Sequence, residues 1–424
     1  MTGKARVKPN ILLMMDDQHR YDFLGCAGAR FVRTPNLDRL AERGVVFTHC
    51  FANSPLCAPS RIGLAAGVDP HRLGALDNGC SLPANATTFF QRLRDSGYRV
   101  GCVGKLDLAK PDPYNGRWGD RPKVYRWGFT HPLECEGKMH AGSSPAPLGP
   151  YGFYLRERGL LQKFHADYKE RAKRGFPLAC RDSVLPADAF EDVYIGRKAA
   201  EWIERVPDDF PWFCFVGFVG PHDPYDPPEP YADKYREADV PPAIPLVPEG
   251  KPEWVRRRFV TDDPETIAVT RRQYCAAIEV IDDQVGALLD ALDRRGMTER
   301  TVVVFTSDHG DLLGDHGMYQ KAAAYEPAVR VPLIVAGPGI AGGRASPALV
   351  ELNDLNPTLC ELAGLSAQEG IDARSFAPVL FGGAETHRSE AVSCCSHFRS
   401  LRTGRCKLIQ NLNDRFELYD LAED

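Results

Sequence analysis

The sequence predicts an α/β fold with a mostly parallel central sheet that is covered by helices. Short apolar runs such as Asn10 to Asp17 and Thr301 to Thr306 are followed by polar or acidic residues, as buried parallel strands often are. Segments of helical periodicity separate these runs, and Glu191 to Arg205 and Glu265 to Arg295 are the clearest. Strands that alternate with helices are typical of a parallel sheet with helices on both faces.

The individual elements have recognisable beginnings and ends. Thr34 and Pro35 are typical helix-start residues, and the helix that they begin continues through Arg43. Thr87 or Thr88 begins another helix. Further strands are predicted at Val45 to Ala52, Tyr98 to Lys105, Trp212 to Val219 and Val331 to Ala336.

Two parts of the chain depart from this regular pattern. Between residues 107 and 188 the periodicity gives way to glycine, proline and aromatic residues, and so long an irregular stretch is usually functional. We interpret it as an insertion that forms the wall of a substrate pocket; a solvated surface insertion is the alternative. After His387, short apolar runs predict a small antiparallel sheet. We therefore expect a catalytic α/β domain at 1–386 and a small C-terminal subdomain at 387–424.

Composition limits the classes to which the protein can belong. The chain has 424 residues, 43% of them hydrophobic, which is enough to bury a large core. A net charge of −5 with both signs interspersed argues against a nucleic-acid partner. No run is long enough to span a membrane, and the polar start from Met1 to Asn10 does not resemble a signal peptide. Thirteen cysteines without an export signal predict thiols and a cytoplasmic location.

The segment Cys57-Ala58-Pro59-Ser60-Arg61 predicts a nucleophile at the start of a helix. Cys57 would be the N-cap, and Pro59 suits the opening turn because its φ is already helical. Arg61 lies one turn further along and can reach back over the cysteine. The free backbone N–H groups and the positive end of the helix dipole meet there, which suits an anion. A buried structural cysteine in a turn is the alternative.

Two pairs of candidate metal ligands lie at the ends of predicted strands. Asp16 and Asp17 end the first strand, and Asp308 and His309 follow the strand at Thr301 to Thr306. Functional groups gather at the carboxyl ends of strands in open α/β sheets, so the two pairs should face each other. Three carboxylates about 4.5 Å apart repel by roughly 3–4 kcal/mol per pair, and a divalent cation removes this repulsion. Mainly oxygen ligands suit Ca²⁺, Mg²⁺ or Mn²⁺. Alternatively, the Asp16-Asp17 pair only caps the strand.

Several motifs resemble those of the type I sulfatases, formylglycine-dependent enzymes of the alkaline phosphatase superfamily. Residues 57–61 are similar to the family's Cys-x-Pro-Ser-Arg signature, and residues 310–321 to its Gly-x-x-x-Gly-x-His-Gly-x-x-x-Lys run. The resemblance extends from Asn10 to Leu421 and implies an alkaline-phosphatase-like sandwich with a small C-terminal antiparallel α+β subdomain. Relatives often continue beyond this point, so the end of the chain is either shortened or naturally short.

The resemblance also implies roles for individual residues. A maturing enzyme would oxidise Cys57 to formylglycine, whose hydrate is the family's nucleophile. One divalent ion, usually Ca²⁺, would bind at Asp16, Asp17, Asp308 and His309. The family often has asparagine in place of His309, and the histidine variant resembles the choline sulfatases and phosphonate monoester hydrolases. The implied catalytic residues around the anion are Cys57, Arg61, Lys105, His222 and Lys321, with Asp107, Asn78, His71 and Arg72 as weaker substrate-binding candidates.

Two of these residues have informative sequence surroundings. Prolines on both sides hold His222 in a rigid turn, which favours a placed side chain over a packed one. Asp107 replaces the histidine of the family's Gly-Lys-x-His-Leu motif. Its carboxylate would repel a sulfate unless Lys105 or Lys110 neutralises it. Asp107 is also a candidate base for the collapse of the sulfated intermediate.

The implied function is hydrolysis of a small anionic sulfate ester, with an aryl, sugar or metabolite alcohol, after maturation by a formylglycine-generating enzyme. One alternative is a phosphonate monoester or phosphodiester hydrolase, which would share the nucleophile and the Asp-His metal pair. A second is a metal-dependent anion-binding protein in which Cys57 is never converted. The sequence defines neither the alcohol half of the substrate nor the oligomeric state.

Overall fold

An eight-stranded sheet forms the centre of the molecule. The structure is a computed structural model, and it describes residues 8–423. The sequence predicts no signal peptide at the start of the chain. Residues Met1 to Val7 lie outside the described residues. The strands are β1 (Asn10–Asp17), β2 (Gly44–Phe51), β3 (Arg99–Gly104), β4 (His131–Glu134), β5 (Trp212–Pro221), β6 (Thr301–Ser307), β7 (Leu333–Ala336) and β8 (Arg344–Glu351). Their spatial order is β4-β3-β5-β1-β6-β7-β2-β8.

The central strand β1 lies between β5 and β6 and runs parallel to both. Met15 is paired with Thr306, and Asp16 with Ser307. Since parallel strands end at the same edge of a sheet, the acidic end of β1 lies beside the segment that follows β6. Among the described strands of this sheet, β7 alone is antiparallel to its neighbours. The predicted mostly parallel sheet is therefore confirmed.

The side chains of β1 alternate between two hydrophobic cores, one on each face of the sheet. Ile11, Leu13 and Met15 belong to one core, while Leu12 and Met14 belong to the other. All five side chains are fully buried. Burial on both faces explains why the strand reads in the sequence as a continuous apolar run.

Helices cover both cores. The α-helices within residues 8–423 are α1 (Pro35–Glu42), α2 (Cys57–Ala66), α3 (Phe89–Asp95), α4 (Pro122–Arg126), α5 (Lys138–Gly142), α6 (Pro150–Glu157), α7 (Leu161–Arg174), α8 (Glu191–Arg205), α9 (Tyr231–Lys234), α10 (Glu253–Arg257), α11 (Pro264–Arg294), α12 (Glu326–Val329), α13 (Leu355–Leu362) and α14 (Ala377–Leu380). Ile62 of α2 and Leu355 of α13 pack in the first core, and Ile195 of α8 and Ile281 of α11 in the second. None of the described helices has the length and apolar character needed to cross a bilayer.

The segment between residues 107 and 188 is more regular than expected. It contains α4 to α7, and its strand β4 extends the sheet by pairing in parallel with β3. In α7 the buried apolar residues Leu161, Phe164 and Tyr168 form only a narrow stripe on an otherwise charged helix. So small an apolar face gives a weak periodic signal, which is why the sequence suggested irregular structure.

The C-terminal region forms a separate four-stranded antiparallel sheet, as predicted. Its strands are β9 (Glu390–Cys395), β10 (Phe398–Thr403), β11 (Cys406–Asn411) and β12 (Glu417–Asp420), in the order β12-β11-β10-β9. Phe398 and Ile409 pack with Val255 of α10 and Ala328 of α12. The sheet therefore shares a core with α10 and with the segment that follows β6.

Candidate active site

Four side chains from different parts of the chain converge at the carboxyl end of the central sheet. Asp17 ends β1, Asp308 and His309 follow β6, and Cys57 is the first residue of α2. One ligand atom of each lies within 4.8 Å of the others, and all four residues are buried. The fold thus brings the expected nucleophile and three of the expected metal ligands into one cluster.

Cys57 occupies the first turn of α2. The N-cap is Leu56, so Cys57 lies one position further into the helix than expected. Its Sγ is 3.2 Å from Nε2 of His309 and 3.7 Å from Oδ1 of Asp17. Burial alone would raise the pKa of the thiol, but Lys105, Lys110, Lys321 and His309 together hold it well below its usual value. The surroundings of Cys57 therefore favour negative charge.

The donor atoms of the cluster fit a divalent metal ion. Nδ1 of His309 lies 2.9 Å from the carbonyl oxygen of Gly310, so this nitrogen carries a proton. In the neutral imidazole that binds a metal, the free lone pair is therefore on Nε2. Nε2 is 3.6 Å from Oδ1 of Asp308 and 3.8 Å from Oδ1 of Asp17. A divalent cation at this point would offset the repulsion that remains between the two buried carboxylates.

Asp16, the fourth expected ligand, has a different orientation. Its Oδ2 is 2.6 Å from Nδ1 of His19. Its Oδ1 is buried and has no hydrogen-bond partner among the described residues. Burial raises the pKa of this carboxyl, although His19 and Ser307 oppose the effect. The fold therefore places Asp16 beside the cluster, with one unsatisfied oxygen that a cation would stabilise.

Arg61 is committed to the ligands of the cluster, which differs from the expected reach over Cys57. Its Nε donates to Oδ2 of Asp308 at 2.7 Å, and its Nη2 donates to Oδ2 of Asp17 at 3.4 Å. The same guanidinium donates to the carbonyl oxygens of Lys105 and Asp16. Since these bonds use four N–H groups of a side chain that is 2% exposed, Arg61 orients the carboxylates.

Lys105 links the cluster to Asp107. Its Nζ donates to Oδ2 of Asp17 and lies 3.2 Å from Oδ2 of Asp107. Nζ of Lys110 donates to the same oxygen of Asp107 at 2.9 Å. Burial alone would raise the pKa of Asp107, but the two lysines hold it below its usual value. Both lysines considered in the sequence therefore neutralise this carboxylate.

Lys321 and His222 are in direct contact on another side of the site. Nζ of Lys321 donates to Nε2 of His222 and to Oε1 of Gln18. Nδ1 of His222 lies 2.6 Å from the carbonyl oxygen of Asp223, so Nδ1 carries the ring proton and Nε2 is the acceptor. The two side chains form a pair in which the ammonium of Lys321 holds the transferable proton.

Sequence reasoning missed Gln18, which connects these groups. Its backbone N–H donates to Oδ1 of Asp308 at 3.1 Å, and its side chain bonds Lys321, Asp223 and Asp311. Its φ of 78° lies in the left-handed region, where a residue other than glycine is uncommon. The available sequence signal was its place directly after the two aspartates that end β1.

A cavity of about 260 Å³ lies next to the cluster. Lys105 and His222 line it, together with Lys110, Arg121 and Lys138 from the segment between 107 and 188. Arg121 forms a paired contact with Glu134, in which Nε and Nη2 donate to the two carboxylate oxygens at 2.5 and 2.6 Å. The cavity wall therefore carries several charged side chains, and an ion pair with the buried Glu134 holds Arg121 in place.

The remaining candidates, Asn78, His71 and Arg72, differ in whether they contact the helix that carries Cys57. Oδ1 of Asn78 accepts a hydrogen bond from the N–H of Ala58 at 3.1 Å, so Asn78 contacts the start of α2. His71 is exposed, and Arg72 forms an exposed ion pair with Asp372. Within residues 8–423, no hydrogen bond joins His71 or Arg72 to the cluster.

Known proteins of one family resemble the chain over most of its length. Residues 9–365 match the sulfatase family, and residues 314–424 match the family described as N-sulphoglucosamine sulphohydrolase, C-terminal. A choline-sulfatase of Rhizobium meliloti is 30% identical over 436 residues, which cover 98% of this chain and 81% of the relative. Human iduronate 2-sulfatase is 30% identical over 420 residues, covering 87% of this chain and 71% of the relative.

A solved structure has a similar fold over nearly the whole chain. The phosphonate monoester hydrolase of Agrobacterium radiobacter superposes with a TM-score of 0.82 at 26% identity, covering 98% of this chain and 90% of the other. The sulfatase match spans most of the chain, including the ends of β1 and β6 and the start of α2. The chain therefore belongs to the sulfatase family of sulfuric ester hydrolases.

Proposed function

We propose that the protein hydrolyses a sulfate monoester at the cluster, with the nucleophile at position 57 and one divalent ion beside it. The observation that carries this proposal is the contact of Sγ of Cys57 with both Nε2 of His309 and Oδ1 of Asp17, at 3.2 and 3.7 Å. A nucleophile and a metal ion that share a site can act on the same tetrahedral group from neighbouring positions.

Two groups absent from the chain itself complete this chemistry. A divalent ion, with Ca²⁺ as our first choice and Mg²⁺ or Mn²⁺ as alternatives, would bind Asp17, Asp308, His309 and the free oxygen of Asp16, and would neutralise anionic oxygens. Conversion of Cys57 to formylglycine by a formylglycine-generating enzyme would give an aldehyde, and addition of water to it would place a hydroxyl nucleophile where Sγ now lies.

The chain's own residues bind the anion and manage the proton. Lys105 offers its ammonium group to the sulfate from the cavity side, while Arg61 keeps the ligand carboxylates in place. Lys321 holds a proton at Nζ, and Nε2 of His222 accepts a hydrogen bond from it. Since His222 lines the cavity, the pair can protonate the departing alcohol oxygen there.

A second function is favoured by two observations. The superposed Agrobacterium structure is a phosphonate monoester hydrolase, and Asp107 stands where sulfatases often have a histidine. A phosphonate monoester or phosphodiester could be hydrolysed by the same nucleophile. A third function, metal-dependent anion binding without catalysis, requires that Cys57 remain a thiol.

We expect a small sulfate ester as substrate and a cytoplasmic location. The cavity of about 260 Å³ has room for the alcohol half of a small molecule. The choline-sulfatase relative makes a small metabolite ester a candidate beside aryl and sugar sulfates.

The test is to produce the protein with a formylglycine-generating enzyme and to identify residue 57 by peptide mass spectrometry. The converted protein is then assayed on 4-nitrophenyl sulfate, a phosphonate monoester and a phosphodiester. We expect the highest kcat/KM for the sulfate. A higher value for the phosphonate would favour the second function. An inactive protein that carries formylglycine and bound metal would rule out both hydrolase functions.

A further inference from the structure

The buried ammonium of Lys138 lies beneath the turn that carries His222. Lys138 begins α5 in the cavity wall and is 4% exposed. Its Nζ donates to the carbonyl oxygens of His222 at 3.0 Å and of Pro224 at 2.9 Å. It also lies 2.7 Å from Oδ1 of Asp226, which is fully buried. One cation thus ties three points of a five-residue turn.

The hydrogen bonds of Lys138 go to the backbone of this turn. Of its three N–H groups, two donate to carbonyl oxygens of the turn, and its charge is paired with the carboxylate of Asp226 without a hydrogen bond to Oδ1. Lys138 lines the cavity, but both hydrogen bonds and the ion pair attach it to the turn. We therefore place its effect on the reaction in the turn that it holds.

The orientation of His222 depends on this turn. The ring is fixed from one side by the carbonyl oxygen of Asp223, which Nδ1 contacts at 2.6 Å, and from the other by Lys321. The carbonyl groups of the residues before and after Asp223, His222 and Pro224, are both anchored by Lys138. A shift of the backbone here would move Nε2 relative to Nζ of Lys321, which holds the proton, and proton transfer from the pair to the alcohol oxygen is sensitive to such a shift.

We propose that Lys138 is a positioning residue that holds the His222–Asp226 turn so that the Lys321–His222 pair can protonate the leaving alcohol. This proposal rests on the proposed function. It predicts that loss of Lys138 matters most for substrates whose alcohol leaves with difficulty. A substrate whose leaving group is stable as an anion needs little protonation and should hardly respond.

The test compares phenyl sulfate with 4-nitrophenyl sulfate, since phenol is the poorer leaving group of two similar molecules. We expect Lys138→Met to lower kcat about 100-fold for phenyl sulfate and less than about threefold for 4-nitrophenyl sulfate, with KM little changed. Lys138→Gln, which keeps an N–H₂ donor group but not the charge, should give an intermediate ratio and serves alone if the methionine variant does not fold. Lys123→Met is the control, because Lys123 is an exposed lysine of the same segment that pairs with Asp112.

The outcomes separate the positioning role from a merely structural one and from the proposed function. Equal losses for both substrates, or a change confined to KM or to the thermal midpoint, would overturn the role of Lys138. A wild-type protein that carries formylglycine and metal but hydrolyses neither sulfate would instead overturn the proposed function, and the role of Lys138 with it.

Discussion

Arg61 and Asp308 form a buried ion pair in which Nε of the arginine donates to Oδ2 of the aspartate at 2.7 Å. This bond leaves Oδ1 of Asp308 facing His309, where a metal ion would bind. Groups that orient metal ligands in this way commonly change metal affinity by about 10–100-fold when they are removed. The pair therefore connects a residue of the nucleophile's helix to the geometry of the metal site.

We predict that Arg61→Lys weakens metal binding by at least about tenfold, because a lysine cannot bond Asp308, Asp17 and two carbonyl groups together. Calorimetric titration of the metal-free protein with Ca²⁺ measures the change. Arg39→Lys is the control, since Arg39 forms an exposed ion pair with Asp290. Equal affinity in the Arg61 variant and the wild type would contradict the supporting role.

Metal removal should destabilise the protein and abolish turnover. Without the ion, the buried carboxylates of Asp17 and Asp308 lose a shared counter-charge, and each is only partly compensated by Arg61. We expect a lower thermal midpoint after dialysis against EDTA, and recovery with Ca²⁺ or Mn²⁺. Asp308→Asn should reduce the bound metal found by elemental analysis, and a full complement of metal in this variant would count against the cluster.

Cys57→Ala should abolish turnover without unfolding the protein. The change removes one sulfur atom from a buried position, so we expect the free energy of unfolding to fall by only about 1–2 kcal/mol. Cys214→Ala is a matched control, because Cys214 is equally buried in β5 but lies in the hydrophobic core. Activity that survives in the Cys57 variant would refute the nucleophile.

Asp107→Asn should distinguish a charge-balancing carboxylate from a catalytic base. If Asp107 only neutralises Lys105 and Lys110, the variant gains positive charge and should bind inorganic sulfate about tenfold more tightly. A base would instead reveal itself by a fall in kcat of at least about 100-fold. Inhibition constants for sulfate and steady-state rates decide between the two, with Asp112→Asn as the control, because Asp112 also lines the cavity but pairs with Arg121.

The stability of the fold should depend on pH through Asp282. Burial raises the pKa of this carboxyl from 3.8 to about 6, although it accepts N–H bonds from Asn36 and Leu37 at the start of α1. Between these two pKa values the folded protein binds the proton that the unfolded chain has lost. Stability from this group is therefore present below about pH 4 and is lost as the pH rises through about 6, by roughly 3 kcal/mol in total.

Asp282→Asn tests this dependence. Urea unfolding of the wild type and the variant across the same pH range gives the difference in free energy, which should change with pH only where Asp282 titrates. A constant difference between the two proteins would show that the carboxyl keeps an ordinary pKa in the folded state. Asp283→Asn, on the exposed neighbouring position, is the control for surface charge.

Local patterns were enough to predict most of the central sheet and the composition of the cluster. The apolar run that ends at Asp17 and the one that precedes Asp308 are strands because their residues suit burial on both faces. Two parallel neighbouring strands end at one edge, so their terminal aspartates had to meet. The Cys57 segment likewise carries its own helix-start signals, within one position of the observed start.

Only the tertiary structure determined how these residues are used. Arg61 bonds the metal ligands instead of reaching over Cys57, Asp16 turns toward His19, and Lys138 holds the His222 turn from 84 residues away. Such pairings depend on the packing of distant segments in a crowded, buried space, where each polar group takes whichever partner the fold places beside it. Sequence periodicity and capping signals describe a residue's own element, so they determined where the site would form and not which partner each of its side chains would bind.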